Sequence, residues 1–315
     1  IYFTSGGSES DNWAVKNIAA ACKKKGRHII TTNIEHHAIL NSCEYLQKLG
    51  YDVTYLEADS DGLVLAEQVK EAIRPDTTLI SVMFANNEVG TIEPIYKIGK
   101  IAREKQILFH TDAVQAYAQI PLSVSYYPVD LLSASAHKFH GPKGVGFLYI
   151  RDGVDIPSFI HGGSQERGKR AGTENVAGIT GMAKAAEIAY GNMRKRVQKE
   201  IMLRNYLIER ILHEIPDVKL NGHHSIRLPG NVNVSFKGIE GASLLILLDE
   251  DGICASGGSA CNTGEERISY VIKALGVPKD YAPGTIRLTL CGDTTRTDID
   301  AAIDSLKRNV ALLRG

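Results

Sequence analysis

The sequence has no excess of either charge: its 36 lysines and arginines face 36 aspartates and glutamates across 315 residues. That balance leaves no electrostatic case for nucleic acid or an anionic membrane as partner, and a small-molecule enzyme fits better. No apolar run approaches the ~20 residues that a membrane helix requires, and no signal-peptide pattern opens the chain, so it reads as soluble. Cysteine pairing is missing as well. Cys22, Cys43, Cys254, Cys261 and Cys291 are odd in number, widely spread and without a CxxC pair. A disulfide framework and a zinc site are therefore not indicated, and a reducing cytoplasm is the natural setting. Internal repeats and low-complexity linkers are absent, although the length allows one large or two ordinary domains.

What is present is an alternation of strands and helices. Ile1 to Ser5, His28 to Thr32, Tyr51 to Leu56, Thr78 to Phe84, Ile107 to Thr111 and Leu131 to Ala134 read as strands. Between them, Ala14/Ile18/Ala21, Ile39/Cys43/Leu46, Leu65/Val69/Ile73 and Ile95/Ile98/Ile101 recur at helical spacing. Gly146 to Ile150 supplies a further strand, suited to antiparallel pairing. Repeated βα units with near-continuous apolar strands predict a mostly parallel, helix-covered α/β sheet. A chain that opens inside a core strand also suggests a missing segment upstream.

In such sheets the ligand crevice lies outside the carboxyl ends of the strands. Gly7, His36, Asn87, Asp112 and Lys138 each follow a strand, so topology brings these five together. Taken singly, His36 reads as a loop histidine, Asn87 as a turn residue and Asp112 as a helix cap. Lys138 follows Leu131-Leu132 and precedes Gly141, Pro142, Gly144 and Gly146, which forbid a helix directly afterwards. A lysine against a partly buried wall loses hydration and becomes the neutral amine of Schiff-base chemistry. Gly7 and Ser8 open a helix whose free N–H groups can cup a phosphate. An amine, an acid, a histidine and a phosphate cup are the parts that pyridoxal phosphate needs. A buried carboxylate such as Asp112 keeps the ring nitrogen protonated, and His36 can stack on the ring and carry protons.

Further on, His161 to Asn175 is a basic, hydroxyl-bearing loop, followed by two helices from Val176 to about Ile215. The remainder reads as α+β: Asn231 to Phe236 and Thr285 to Leu290 alternate as strands, Ala242 to Leu248 is helical, and a last helix follows a Thr297 cap. The small residues of Cys254-Ala-Ser-Gly-Gly-Ser-Ala-Cys261-Asn-Thr-Gly264 leave a thiol exposed, whereas Cys22 and Cys43 read as packed.

Seven stretches occur in one family's order: Phe3-Thr-Ser-Gly-Gly-Ser-Glu-Ser-Asp-Asn12, Glu35-His36-His37, Asn86-Asn87-Glu88-Val-Gly90, His110-Thr-Asp112-Ala-Val-Gln115, Ser135-Ala-His137-Lys138, Glu166 to Thr173, and Gly258-Ser-Ala-Cys261. Together they resemble the cysteine desulfurases of the NifS and IscS type, class V aminotransferases of pyridoxal phosphate fold-type I, essentially from end to end. The resemblance implies a seven-stranded, mostly parallel sheet in a coenzyme-binding domain over 1–193. A smaller α+β domain with the Cys261 loop would occupy 194–315. It implies that Lys138 holds the coenzyme as a Schiff base, Asp112 pairs with its ring nitrogen, Gln115 bonds its ring oxygen and His36 lies over the ring. Gly7, Ser8, Ser135 and His137 would hold the phosphate, with Thr173 arriving from the other subunit of a homodimer. Asn87 and Arg287 would bind the carboxylate of L-cysteine. Cys261 would be the nucleophile that takes the sulfur as a persulfide for an acceptor protein, such as an iron–sulfur scaffold or a tRNA-thiolation relay, and could transiently ligate a cluster. A selenocysteine lyase, a class V aminotransferase or a noncatalytic binding protein on this fold would share most of these residues.

Overall fold

A computed structural model of the chain describes residues 1–257 and 268–315. The chain divides into two compact units: 1–57, 64–85 and 93–193 in the first; 58–63, 86–92 and 194–315 in the second.

The first unit is built on a seven-stranded sheet. Its strands are β1 (Tyr2–Thr4), β2 (His28–Thr32), β3 (Asp52–Leu56), β4 (Thr77–Ser81), β5 (Leu108–Asp112), β6 (Leu131–Ser135) and β7 (Gly146–Ile150), in the spatial order β1-β7-β6-β5-β4-β2-β3. Every pairing from β6 to β3 is parallel, and β7 runs antiparallel to both β6 and β1. The fold is the expected mostly parallel α/β sheet. β2, β4 and β6 are buried at every residue, the signature of strands covered on both faces.

Helices alternate with the strands: α1 (Gly7–Asn12) runs through a π-helical turn, Trp13–Asn17, into α2 (Ile18–Ala21), followed by α3 (His37–Lys48), α4 (Ala66–Ala72), α5 (Ile95–Glu104) and α6 (Val176–Gly191). Trp13, Ile18, Ile29, Ile39, Leu79, Leu131 and Leu148 form a common core. Full burial of such side chains contributes roughly 1.5–3 kcal/mol each.

The second unit carries α7 (Met193–Glu214), β8 (Val218–Leu220), β9 (Asn231–Phe236), α8 (Gly241–Glu250), β10 (Ser256–Gly257), α9 (Tyr270–Ala274), β11 (Thr285–Thr289) and α10 (Arg296–Arg314). Its four strands lie in the order β10-β11-β9-β8, all antiparallel. Ile211, Val234, Phe236, Leu244, Ile286 and Ile303 fill its core. The cap of α10 is Thr295 rather than Thr297. Thr295 Oγ1 accepts from the Asp298 N–H at 3.2 Å, and the Asp298 carboxylate accepts from the Thr295 N–H at 2.8 Å, a reciprocal capping box two residues upstream of the expected cap.

Candidate active site

Three of the expected residues lie at the carboxyl ends of strands of one sheet: Asp112 at β5, Lys138 past β6 and His36 past β2. Asp112 ends β5, buried, and its Oδ1 accepts from the Val114 N–H at 2.8 Å. Burial pushes its carboxyl up from 3.8 to about 6, against the pull of the Val114 N–H and the Lys138 charge. Lys138 lies just past β6. A single 3₁₀ turn, Ala136–Phe139, intervenes where the sequence predicts none, and it stops at His140, whose φ of 66° is left-handed. A side chain on Gly141 would meet Ala136 Cβ at 2.9 Å, which keeps the turn tight. Lys138 is exposed, and its charge acts on Asp112, His36 and His137.

His36 caps α3. Its Nδ1 accepts from the Ala38 N–H at 3.1 Å, so the neutral ring carries its proton on Nε2. Burial, then the His37 and Lys138 charges, holds its pKa below the ordinary value.

Gly7 and Ser8 form the first turn of α1, preceded by Gly6 at a positive φ of 150° that favours glycine. The approach is close: a Cβ on Gly7 would lie 2.6 Å from Val114 Cγ2. Ser135 is buried at the end of β6, its Oγ 3.5 Å from where a Gly6 Cβ would lie. His137 sits in the turn with Lys138, its pKa lowered by burial and by Lys138 and Lys143. Gln115 is half-buried in the segment after Asp112. Thr173 is exposed, lining a cavity with Ser5, Arg170, Gly172 and Asn175.

Asn87 and Arg287 belong to the second unit, where Arg287 Nη1 donates to the Asn87 carbonyl at 2.6 Å. Asn87 Oδ1 is buried with no hydrogen-bond partner among the described residues. Cys261 lies outside the described residues.

Sequence reasoning missed a polar layer beneath Asp112. Asp11, fully buried in α1, hydrogen-bonds Ser133, and its Oδ1 lies 3.7 Å from His110 Nε2. His110 in turn bridges Ser81 and Ser133, each at 2.9 Å. Burial, then the neighbouring Asp112 charge, pushes the Asp11 carboxyl well up, while burial pushes His110 down to about 3. Glu35 is buried beside them, accepting from Thr32 Oγ1 and the Met83 N–H, its carboxyl also pushed well up by burial. Burial thus favours the neutral form of both acids that lie near Asp112. The available signal was positional, since His110 lies two residues before Asp112 in the same strand and Glu35 directly before His36.

The free cysteines differ in exposure. Cys43 is buried with its thiol pushed up to about 12, Cys22 is half-buried, and Cys254 and Cys291 are exposed.

This geometry has close counterparts. Residues 1–302 match the family model described as aminotransferase class-V. A cysteine desulfurase IscS of Clostridium botulinum is 55% identical over 310 residues, spanning 98% of this chain and 78% of the relative. A solved NifS-like protein superposes with a TM-score of 0.92 at 40% identity, covering 99% of this chain and 82% of its own. A solved SspA in complex with cysteine superposes with a TM-score of 0.79 at 36% identity, covering 93% and 82%.

Proposed function

We propose, from the premise that this chain belongs to the aminotransferase class-V family and within it to the NifS- and IscS-type cysteine desulfurases, that it uses pyridoxal phosphate to convert L-cysteine to L-alanine and passes the sulfur to Cys261. The observation that carries this reading is the meeting of Lys138, Asp112 and His36 at one sheet edge, where the Lys138 charge acts on both of the others.

The residues fit the coenzyme. Lys138 offers an exposed amine for its aldehyde, and Asp112 a buried carboxyl whose ionised form is stabilised by a cation, such as a protonated ring nitrogen. Gly7 and Ser8 present the N–H groups of a helix start, joined by Ser135 and His137, to the phosphate. Gln115 would hydrogen-bond the ring oxygen. When bound, pyridoxal phosphate supplies an electron sink for the pair left on the substrate α-carbon.

The chain's own groups do the rest. Arg287 and the Asn87 amide hold the substrate carboxylate, with the guanidinium's fork matched to it. His36, its Nδ1 engaged by the Ala38 N–H, works through Nε2 to hold the ring and move a proton. The substrate C–S bond breaks as an S–S bond forms at the Cys261 thiolate, and a proton takes the sulfur's place to give alanine; no external oxidant is needed. The persulfide then goes to an acceptor protein of iron–sulfur assembly or tRNA thiolation.

A homodimer, with Thr173 reaching the partner's phosphate site, is supported by Val176, Ile188 and Tyr190, apolar side chains of α6 that stand exposed. Among the described residues no helix is long and apolar enough to cross a membrane. The free cysteines suit a reducing cytoplasm.

The test is turnover of L-cysteine by the coenzyme-loaded protein with a thiol reductant. Equal alanine and sulfide are expected, and a keto acid as main product would overturn the reading. Cys261→Ala keeps the coenzyme's visible absorbance and releases no sulfide; undiminished desulfuration sinks the role of Cys261.

A further inference from the structure

Glu88 directly follows Asn87, proposed above to bind the substrate, and takes no part in the chemistry given there, yet it is held on both its side chain and its backbone. It is buried, and its Oε2 accepts from Ser269 Oγ at 2.6 Å. Ser269 is itself a cap, accepting from the Val271 N–H at 3.1 Å. The Glu88 backbone is equally held: its N–H donates to Asn86 Oδ1 at 2.9 Å, and its carbonyl accepts from the amides of Asn231 and Asn233, both at 3.1 Å. A carboxylate this fixed cannot swing away from its neighbours.

The charged group that acts on it is Arg287, from β11. Arg227, which also reaches this loop, directs its Nη2 to the carbonyls of Val89 and Asn221 and to Asn231 Oδ1. From α9 the facing group is the neutral Ser269 hydroxyl. Glu88 and any carboxylate bound at Arg287 therefore share the field of that guanidinium, whose Nη1 also donates to the Asn87 carbonyl.

We propose that Glu88 sets the pH dependence of carboxylate binding at Arg287: fixed by the Ser269 hydroxyl and directly following Asn87, whose carbonyl accepts from Arg287 Nη1, it takes up a proton when a carboxylate occupies Arg287. The inference rests on the reading of Arg287 as the carboxylate site. Burial raises the Glu88 carboxyl to about 7, while the Ser269 bond and the Arg287 charge oppose the rise. An anion on Arg287 cancels part of that opposition, the carboxyl rises further, and a proton binds near neutral pH. Conversely, ionised Glu88 competes with the substrate for Arg287, so KM for L-cysteine climbs as the pH rises through about 7.

The experiment is calorimetric titration of the holoenzyme with L-alanine, which carries the same carboxylate and no thiol, in two buffers of different ionisation enthalpy. At pH ~7 a half-ionised acid can take up as much as ~0.5 proton, so Glu88→Gln is expected to lower the uptake by up to that amount. It should also flatten the rise of KM with pH. Ser269→Ala removes a bond that favours the ionised form, so it moves the uptake profile to higher pH. Identical uptake by wild type and Glu88→Gln, with alanine bound by both, overturns the proposal while leaving the desulfurase reading intact. Arg287→Gln separates the two: if it binds alanine as tightly as wild type, the assignment of Arg287 itself fails and takes this proposal with it.

Discussion

Replacing Asp112 by asparagine should strengthen the coenzyme-free fold while weakening coenzyme binding. The asparagine Oδ1 keeps the acceptor for the Val114 N–H, so the substitution chiefly removes a charge, which also relieves the buried Asp11 and Glu35 carboxyls. Burial lifts the Asp112 carboxyl from 3.8 to about 6. A gap of about two units, at 1.36 kcal/mol each, is worth about 3 kcal/mol. The sign follows from linkage: a raised folded-state pKa gives stability that is fully present below pH ~4 and is lost as the pH rises through about 6. The apo wild type thus forfeits about 3 kcal/mol between pH ~4 and ~7 that the asparagine variant retains. Urea unfolding of both apo-proteins across this range checks it. The expected pattern is a stability gap in favour of Asp112→Asn that is open at pH 8 and narrows toward pH 4, with coenzyme affinity reduced in the variant. Equal apo stabilities at pH 8, or a gap independent of pH, would refute the reasoning.

Two further substitutions probe the packing around the site. Gly7→Ala places a Cβ 2.6 Å from Val114 Cγ2, an overlap expected to cost ~1–3 kcal/mol and to lower coenzyme affinity by displacing the residues after Asp112; unchanged melting and affinity would show that Val114 yields freely. Thr295→Ala removes the acceptor for the Asp298 N–H and should cost about 1 kcal/mol, with the coenzyme's absorbance unaltered; a loss of absorbance would contradict a purely local role.

The parallel strands were legible because burial on both faces leaves little room for polar residues: Ile29-Ile30 in β2 and Leu79-Ile80 in β4 are completely buried. β8 and β10 escaped because three and two half-buried residues are too short to show a period. The π-helical turn at Trp13–Asn17 has no spacing of its own, and the α10 cap was misplaced because Thr297, like Thr295, precedes the apolar repeat. At the site, Lys138, Asp112 and His36 could be found because each interrupts an apolar run at its end. Asp11 and Glu88 could not. A buried acid and a surface acid are the same letter, and only the packing of α1 on β6, or of Ser269 on the 86–92 loop, distinguishes them.

The second unit's dependence on residues 86–92 bears on how such a gene could recombine. A cassette beginning at Arg194 would leave the Asn231 and Asn233 amides without the Glu88 carbonyl, and Arg227 without that of Val89. Stranding a buried donor typically costs ~1–3 kcal/mol. Swapping the segment from Arg194 onward between homologues therefore requires an upstream loop that follows the same backbone course and keeps the Glu88 carboxylate that accepts from Ser269, so the two stretches are expected to be inherited together.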